Sequence, residues 1–180
     1  MTVAVCDTAA VATESWVASH AEIIRIFYDA GVDITWIDLH CDLNGASGRA
    51  SPDAHGLSLK NGYFMIVIAP DPLPNWRSPD AMGLAPTRTG PYPRAYVFYK
   101  LVLAFVESFR TVESRNSAIG IILGHAIAHE LGHLLLPGNG HGSGIMRHSW
   151  GYTEWEQAFS GTLMFHPDHS RLIQNRLRSN

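Results

Sequence analysis

Residues 117–150 read SAIGIILGHAIAHELGHLLLPGNGHGSGIMRHSW, and the fold and chemistry of the chain turn on this stretch. At its centre is His129-Glu130-Leu131-Gly132-His133, two histidines four apart with a glutamate beside the first. An α-helix turns once in about 3.6 residues, so side chains four apart leave it on the same side and both imidazoles can reach one metal ion. Neutral imidazole suits zinc, and two such ligands leave places for a third ligand and a water. Glu130 points off that axis, toward the water rather than the metal, which is the placement of a general base.

Read in fours, the same stretch resolves into stripes. Ile119, Leu123, Ile127, Leu131 and Leu135 form an apolar face that needs burial. Gly120, Gly124, Ala128 and Gly132 form a stripe of minimal side chains. A glycine costs a helix about 1 kcal/mol against alanine, so this stripe predicts close approach of a neighbour, either the sheet or the first helix. His125, His129 and His133 form the third stripe. A helix over about 117–136 follows, with Ser117 or Asn116 capping its start and Pro137-Gly138 stopping it. As a ligand, His125 would close the open coordination place, so a packing or supporting role is expected of it.

Beyond the helix, Gly138, Gly140, Gly142 and Gly144 let the chain reverse. His141 lies among them, and Gly144-Ile145-Met146-Arg147 follows. The stretch resembles the zinc site of the metzincin metalloproteases, in particular the small bacterial metzincin-like proteins that carry A-H-E-[IL]-G-H-L-L-L, a histidine and G-I-M-R. In that family a long H-E-x-x-H helix ends at a glycine, a third histidine follows, and a methionine-bearing turn underlies the metal. One departure is plain. Seven residues separate His133 from His141, against the five of the family pattern, and Leu136 and Asn139 stand at the positions of the expected glycine and histidine.

The resemblance implies an α/β (α+β) zincin-like fold: a small, mixed, twisted sheet of four or five strands with packed helices, in a single domain over 1–180. It implies one catalytic Zn²⁺ held by His129, His133 and His141, with Met146 as an apolar floor beneath it. The activity implied is that of a zinc metallopeptidase, in which a zinc-activated water attacks the peptide bond and Glu130 acts as general base. His148 or Tyr152 is placed to assist as an oxyanion or substrate contact, against plainer readings as a turn residue and a packing residue. A gluzincin-like alternative takes the third ligand from the next helix, at Glu154 or Glu156. The implied partner is a peptide or protein substrate bound extended along an edge strand near Met82 to Arg88, where Pro86 fits an edge. Relatives of this kind are often exported, although no signal-peptide pattern opens this chain. A monomer is expected.

Composition agrees with one ordinary core: 180 residues, 46% of them hydrophobic. The net charge of −3 says little about partners. Lys60 and Lys100 are the only lysines and the arginines are scattered, so no nucleic-acid footprint is present. No uninterrupted apolar run approaches the length of a membrane span. Half of the ten histidines fall between His125 and His148, which points back to the same site.

The remaining elements follow from periodicity. A strand runs from the first residues to Cys6, and a helix covers about Thr13 to Ala30, with Trp16, Val17, Ala21, Ile24, Phe27 and Tyr28 at helical spacing. A second strand, Ile34 to Leu39, precedes Cys41. If the two strands are parallel neighbours, both thiols emerge at one end of the sheet, and a Cys6–Cys41 disulfide stands beside free buried cysteines as an equal alternative. Asn44 to Asn61 reads as loop, where Asp53 and His55 form a candidate accessory metal pair and His55 alone reads as a solvated histidine. Tyr63 to Ala69 is a buried strand, and the seven prolines of Pro70 to Pro93 exclude regular structure over most of that segment. Ala95 to Tyr99 is the last strand and Leu101 to Val112 a helix. Thr153 and Glu156 suggest a capping box, Pro167 opens a final helix, and His166 and His169 read as surface residues. Besides a peptidase, two other classes fit the motif: a noncatalytic zinc-stabilised binding module, and a zinc hydrolase of a nonpeptide amide.

Overall fold

The computed structural model describes residues 1–39, 41, 63–74, 76, 78, 81–86, 93–109, 114–138 and 140–179. The expected loop from Asn44 to Asn61, with Asp53 and His55, lies outside the described residues, as do Arg88 and the last residues of the expected helix to Val112. The fold is mixed α/β. Five strands, β1 (Thr2–Asp7), β2 (Thr35–Leu39), β3 (Tyr63–Ala69), β4 (Gly83–Leu84) and β5 (Arg94–Phe98), form one sheet in the order β2-β1-β3-β5-β4. Neighbours are parallel except β4, which runs antiparallel to β5. The near-continuous apolar run of β3 is what a central parallel strand needs, since both of its faces are covered.

Five helices complete the described chain: α1 (Thr13–Asp29), α2 (Tyr99–Glu107), α3 (Arg115–Leu135), α4 (Tyr152–Phe159) and α5 (Pro167–Arg178). One face of the sheet, through Val3, Val5, Phe64, Ile66, Ile68 and Val97, joins the main core with residues of these helices. The opposite face carries a smaller cluster of Cys6, Met65 and Val67, with Leu39, Cys41, Tyr63 and Tyr96 against it. Cys6 and Cys41 are joined in a disulfide with their Cα atoms 5.7 Å apart. The parallel register that sets Cys6 opposite Leu39 brings the two thiols together. Closing a loop of this length stabilises a fold by about 3–4 kcal/mol in the chain-entropy account.

α3 is the spine of the fold. Its apolar face is buried as its sequence requires, with Ile119, Leu123, Ile127, Leu131 and Leu135 all at most 2% exposed. The glycine stripe meets α1: a methyl group at Gly120 would lie 2.6 Å from the Ser15 carbonyl oxygen, and one at Gly124 2.9 Å from that of Ser19. This contact overturns the expected face of α1. Ser15 and Ser19 are buried with Ile23, Ile26 and Phe27, whereas Val17, Ile24 and Tyr28 face outward. Close approach of two backbones demands small residues at the seam, and bulkier apolar residues are displaced from it.

Other boundaries are corrected too. The cap of α3 is Ser114, whose hydroxyl accepts the Ser117 N–H at 3.2 Å, so the helix starts before the expected Ser117 or Asn116. By length and composition α3 is apolar enough to cross a bilayer, yet most of it is buried inside the protein. Over α4 the capping carboxylate is Glu154, which accepts the Gly151 N–H at 2.8 Å, rather than the Thr153–Glu156 pair. α5 opens at Pro167 as expected, with the His166 ring capping Asp168 N–H.

Candidate metal centre and active site

Three histidines converge. His129 and His133 project from the last turns of α3, and His141 arrives from the glycine-rich reversal after it. One ring nitrogen from each lies within 4.8 Å of the others, and the Nε2 atoms of His129 and His133 are 3.0 Å apart. Gly138, Gly140 and Gly144 take positive φ of 64, 62 and 62°, which a side-chain-bearing residue adopts at a cost. The seven-residue spacing is therefore accommodated by backbone that only glycine adopts freely.

The state of His129 is set by its surroundings. His129 Nδ1 lies 2.7 Å from the Ile145 carbonyl oxygen, and only an N–H can face that acceptor, so the lone pair sits on Nε2, among the other rings. Burial holds the His129 imidazolium well down, to about 4, aided by the neighbouring His133, His141 and His148 against the pull of the Ile145 carbonyl. His141 is lowered by burial and by His148. A neutral His129 with its lone pair turned toward His133 and the more exposed His141 fits a borderline cation such as Zn²⁺.

Met146 packs against α3 at Gly132. It is fully buried, and a methyl group at Gly132 would collide with its sulfur, so Gly132 is the gap that lets the thioether pack against α3. The turn that carries Met146 is held by Gly142 N–H donating to Met146 O at 2.9 Å and Ile145 N–H to Met164 O at 2.9 Å.

Glu130 is 6% exposed, and its Oε2 has no hydrogen-bond partner. Burial raises its carboxyl from 4.5 to about 8. It faces a cleft of about 600 Å³ lined by His129, His133 and His141, by Met82, Gly83 and Leu84 of the β4 region, and by Phe105, His148 and Trp150. The expected edge strand is β4, at the end of the sheet beside this cleft. Phe98 N–H donates to Met82 O at 2.8 Å, so by the alternation of an antiparallel ladder the N–H and C=O of Gly83 point away from β5.

The other candidates separate clearly. His148 stands at the cleft beside His141, ring centroids 4.7 Å apart. Tyr152 is not part of the cleft lining; its ring packs near Phe109 at 6.0 Å, and a hydrogen bond to the Glu156 carboxylate raises its phenol. Glu154 is committed elsewhere, to Gly151 N–H and to Arg147 at 3.1 Å, so it does not join the histidines. Glu156 is exposed and engaged by Tyr152. His125 is fully buried with Nδ1 2.8 Å from the Ile121 carbonyl of its own helix, outside the converging set. His166 is exposed as expected, but His169 is half-buried, seated where a side chain on Gly142 would be.

Sequence reasoning missed Gly83 and Trp150. Trp150 lines the cleft with its ring centroid 5.7 Å from that of His129, and no spacing rule singles out either residue. No protein-family model, curated protein or solved structure matches this chain.

Proposed function

We propose that this protein is a zinc-dependent metallopeptidase of the metzincin type. The observation that carries the reading is the convergence of His129, His133 and His141 beside the partnerless, buried carboxylate of Glu130 in an open cleft. A zinc ion held by the three imidazoles would supply a Lewis acid that lowers the pKa of a water toward about 7 and polarises a carbonyl.

The residues of the chain divide the remaining work. Glu130 takes the proton of the attacking water and returns it to the leaving amine. A cation held by the three histidines would favour the ionised carboxylate, opposing the burial that raises it. The Ile145 carbonyl fixes the tautomer of His129. The outward N–H and C=O of Gly83 offer an extended peptide a hydrogen-bonded pair on the free side of β4, the geometry of strand addition. His148, exposed at the cleft, is available to donate to a developing oxyanion.

Glu130 also weighs against a noncatalytic zinc-stabilised module. A buried carboxylate without a partner costs stability, and a metal site serving only the fold has no use for it. The Cys6–Cys41 disulfide favours an oxidising, extracytoplasmic compartment. The test is chelation. Removing the metal should abolish hydrolysis of a broad peptide pool, and one equivalent of zinc should restore it. Hydrolysis that survives complete metal removal would contradict the reading, and cleavage of nonpeptide amides alone would move it to the other hydrolase class.

A further inference from the structure

The edge strand touches the proposed general base. A methyl group built on Gly83 would lie 2.5 Å from Glu130 Oε1 and 2.6 Å from both Cδ and Cγ, closer than real side-chain carbons approach their neighbours. Gly83 is buried, and it is not among the residues of positive φ, so its backbone conformation does not require glycine. The requirement is space. The side chain of Glu130 occupies the volume that any other residue at position 83 would claim.

We propose that Gly83 is the positioning residue for Glu130, its bare Cα forming the wall that holds the carboxyl in the cleft. The role rests on the metallopeptidase reading and adds to it. Oε2 accepts no hydrogen bond, so van der Waals contact is what fixes the group. Gly83 lies opposite Val97 in the sheet, and the Phe98 N–H to Met82 O bond beside it anchors the wall to β5. Its free N–H and C=O lie on the outer side of the same residue, so a substrate strand pairing there is registered directly against the base. One residue thereby couples the placement of the peptide to the placement of the proton acceptor.

A double-variant cycle tests this. Gly83→Ala forces the Glu130 side chain aside, so peptide hydrolysis should lose at least about 100-fold in kcat, with KM within about threefold and zinc content unchanged. In the same variant the melting temperature should fall by about 4 °C or more. Glu130→Ala removes Cγ and the carboxyl, and in that background Gly83→Ala should lower the melting temperature by less than about 1 °C. Equal losses in both backgrounds, or an undiminished kcat in Gly83→Ala, would overturn the assignment. Should Gly83→Ala alone not fold, a folded Gly83→Ala/Glu130→Ala chain supports it and an unfolded one overturns it. Failure of the native protein to hydrolyse any peptide would instead sink the metallopeptidase reading, and the melting cycle would still decide whether Gly83 sets the position of Glu130.

Discussion

The two halves of α3 use the same residue types for different ends. In the first half, Gly120 and Gly124 admit the backbone of α1, and His125 donates to the carbonyl of Ile121 within its own helix. In the second half, Gly132 admits the thioether of Met146, and His129 donates to the carbonyl of Ile145, sixteen residues along the chain. The difference is where the partner comes from. His125, held at Nδ1 by its own helix and buried with Nε2 unpartnered, packs, whereas His129, oriented by a separate turn, is aimed, and its Nε2 meets nitrogens of His133 and His141. Spacing alone places His125 and His129 on one face and does not tell them apart.

Metal content breaks the comparison most sharply. His141→Ala should lower zinc affinity by more than about 100-fold, since even partners outside the ligand set are worth 10–100-fold. His125→Gln should leave zinc stoichiometry unchanged. Metal retained in the first, or lost in a folded sample of the second, would reverse the assignment of the two halves; competitive titration against a chromogenic chelator reads both.

The glycines give the next contrast. Gly120→Ala drives a methyl group into the Ser15 carbonyl and should destabilise the protein by about 1–3 kcal/mol while leaving zinc affinity intact. Gly132→Ala collides with Met146 and should reduce both stability and zinc affinity. Denaturant melts paired with zinc titration separate the two, and equal zinc affinity in both variants would remove Met146 from the support of the metal.

The carboxylate sharpens the picture with a smaller effect. In the metal-free protein a Glu130 carboxyl raised to about 8 holds its proton more tightly when folded than when unfolded. Its ionisation therefore imposes no penalty below about pH 4.5, and stability is lost as pH rises from there toward 8. Metal-free Glu130→Gln should accordingly be more stable than the native chain by about 1–3 kcal/mol at pH 7, with the difference vanishing below pH 4.5. A gap independent of pH across that range would show that Glu130 is not strained by burial.

Much of this was legible in the sequence because the motif sits on a strongly periodic helix. The buried face of α3 and its glycine stripe follow from residue spacing, whereas the parallel pairing of β1 with β2 was only a condition in the sequence and is set by the fold. The seaward side of α1 did not, because Val17, Ile24 and Tyr28 fit an apolar helical pattern that the Gly120–Gly124 seam overrides. The commitment of Glu154 to the cap of α4 depends on the chain turning at Gly151, and the contact of Gly83 with Glu130 joins residues far apart in the chain. Neither leaves a local signal. The disulfide was open from two cysteines alone and is decided by the register of β1 and β2.

The most direct measurement is the zinc content of the purified protein together with hydrolysis of a broad peptide pool, comparing the native chain with Glu130→Gln. The account predicts one zinc per chain in both and a loss of about 10²–10⁴-fold in hydrolysis in the variant alone. Zinc in both with equal cleavage, or with cleavage in neither, would contradict it.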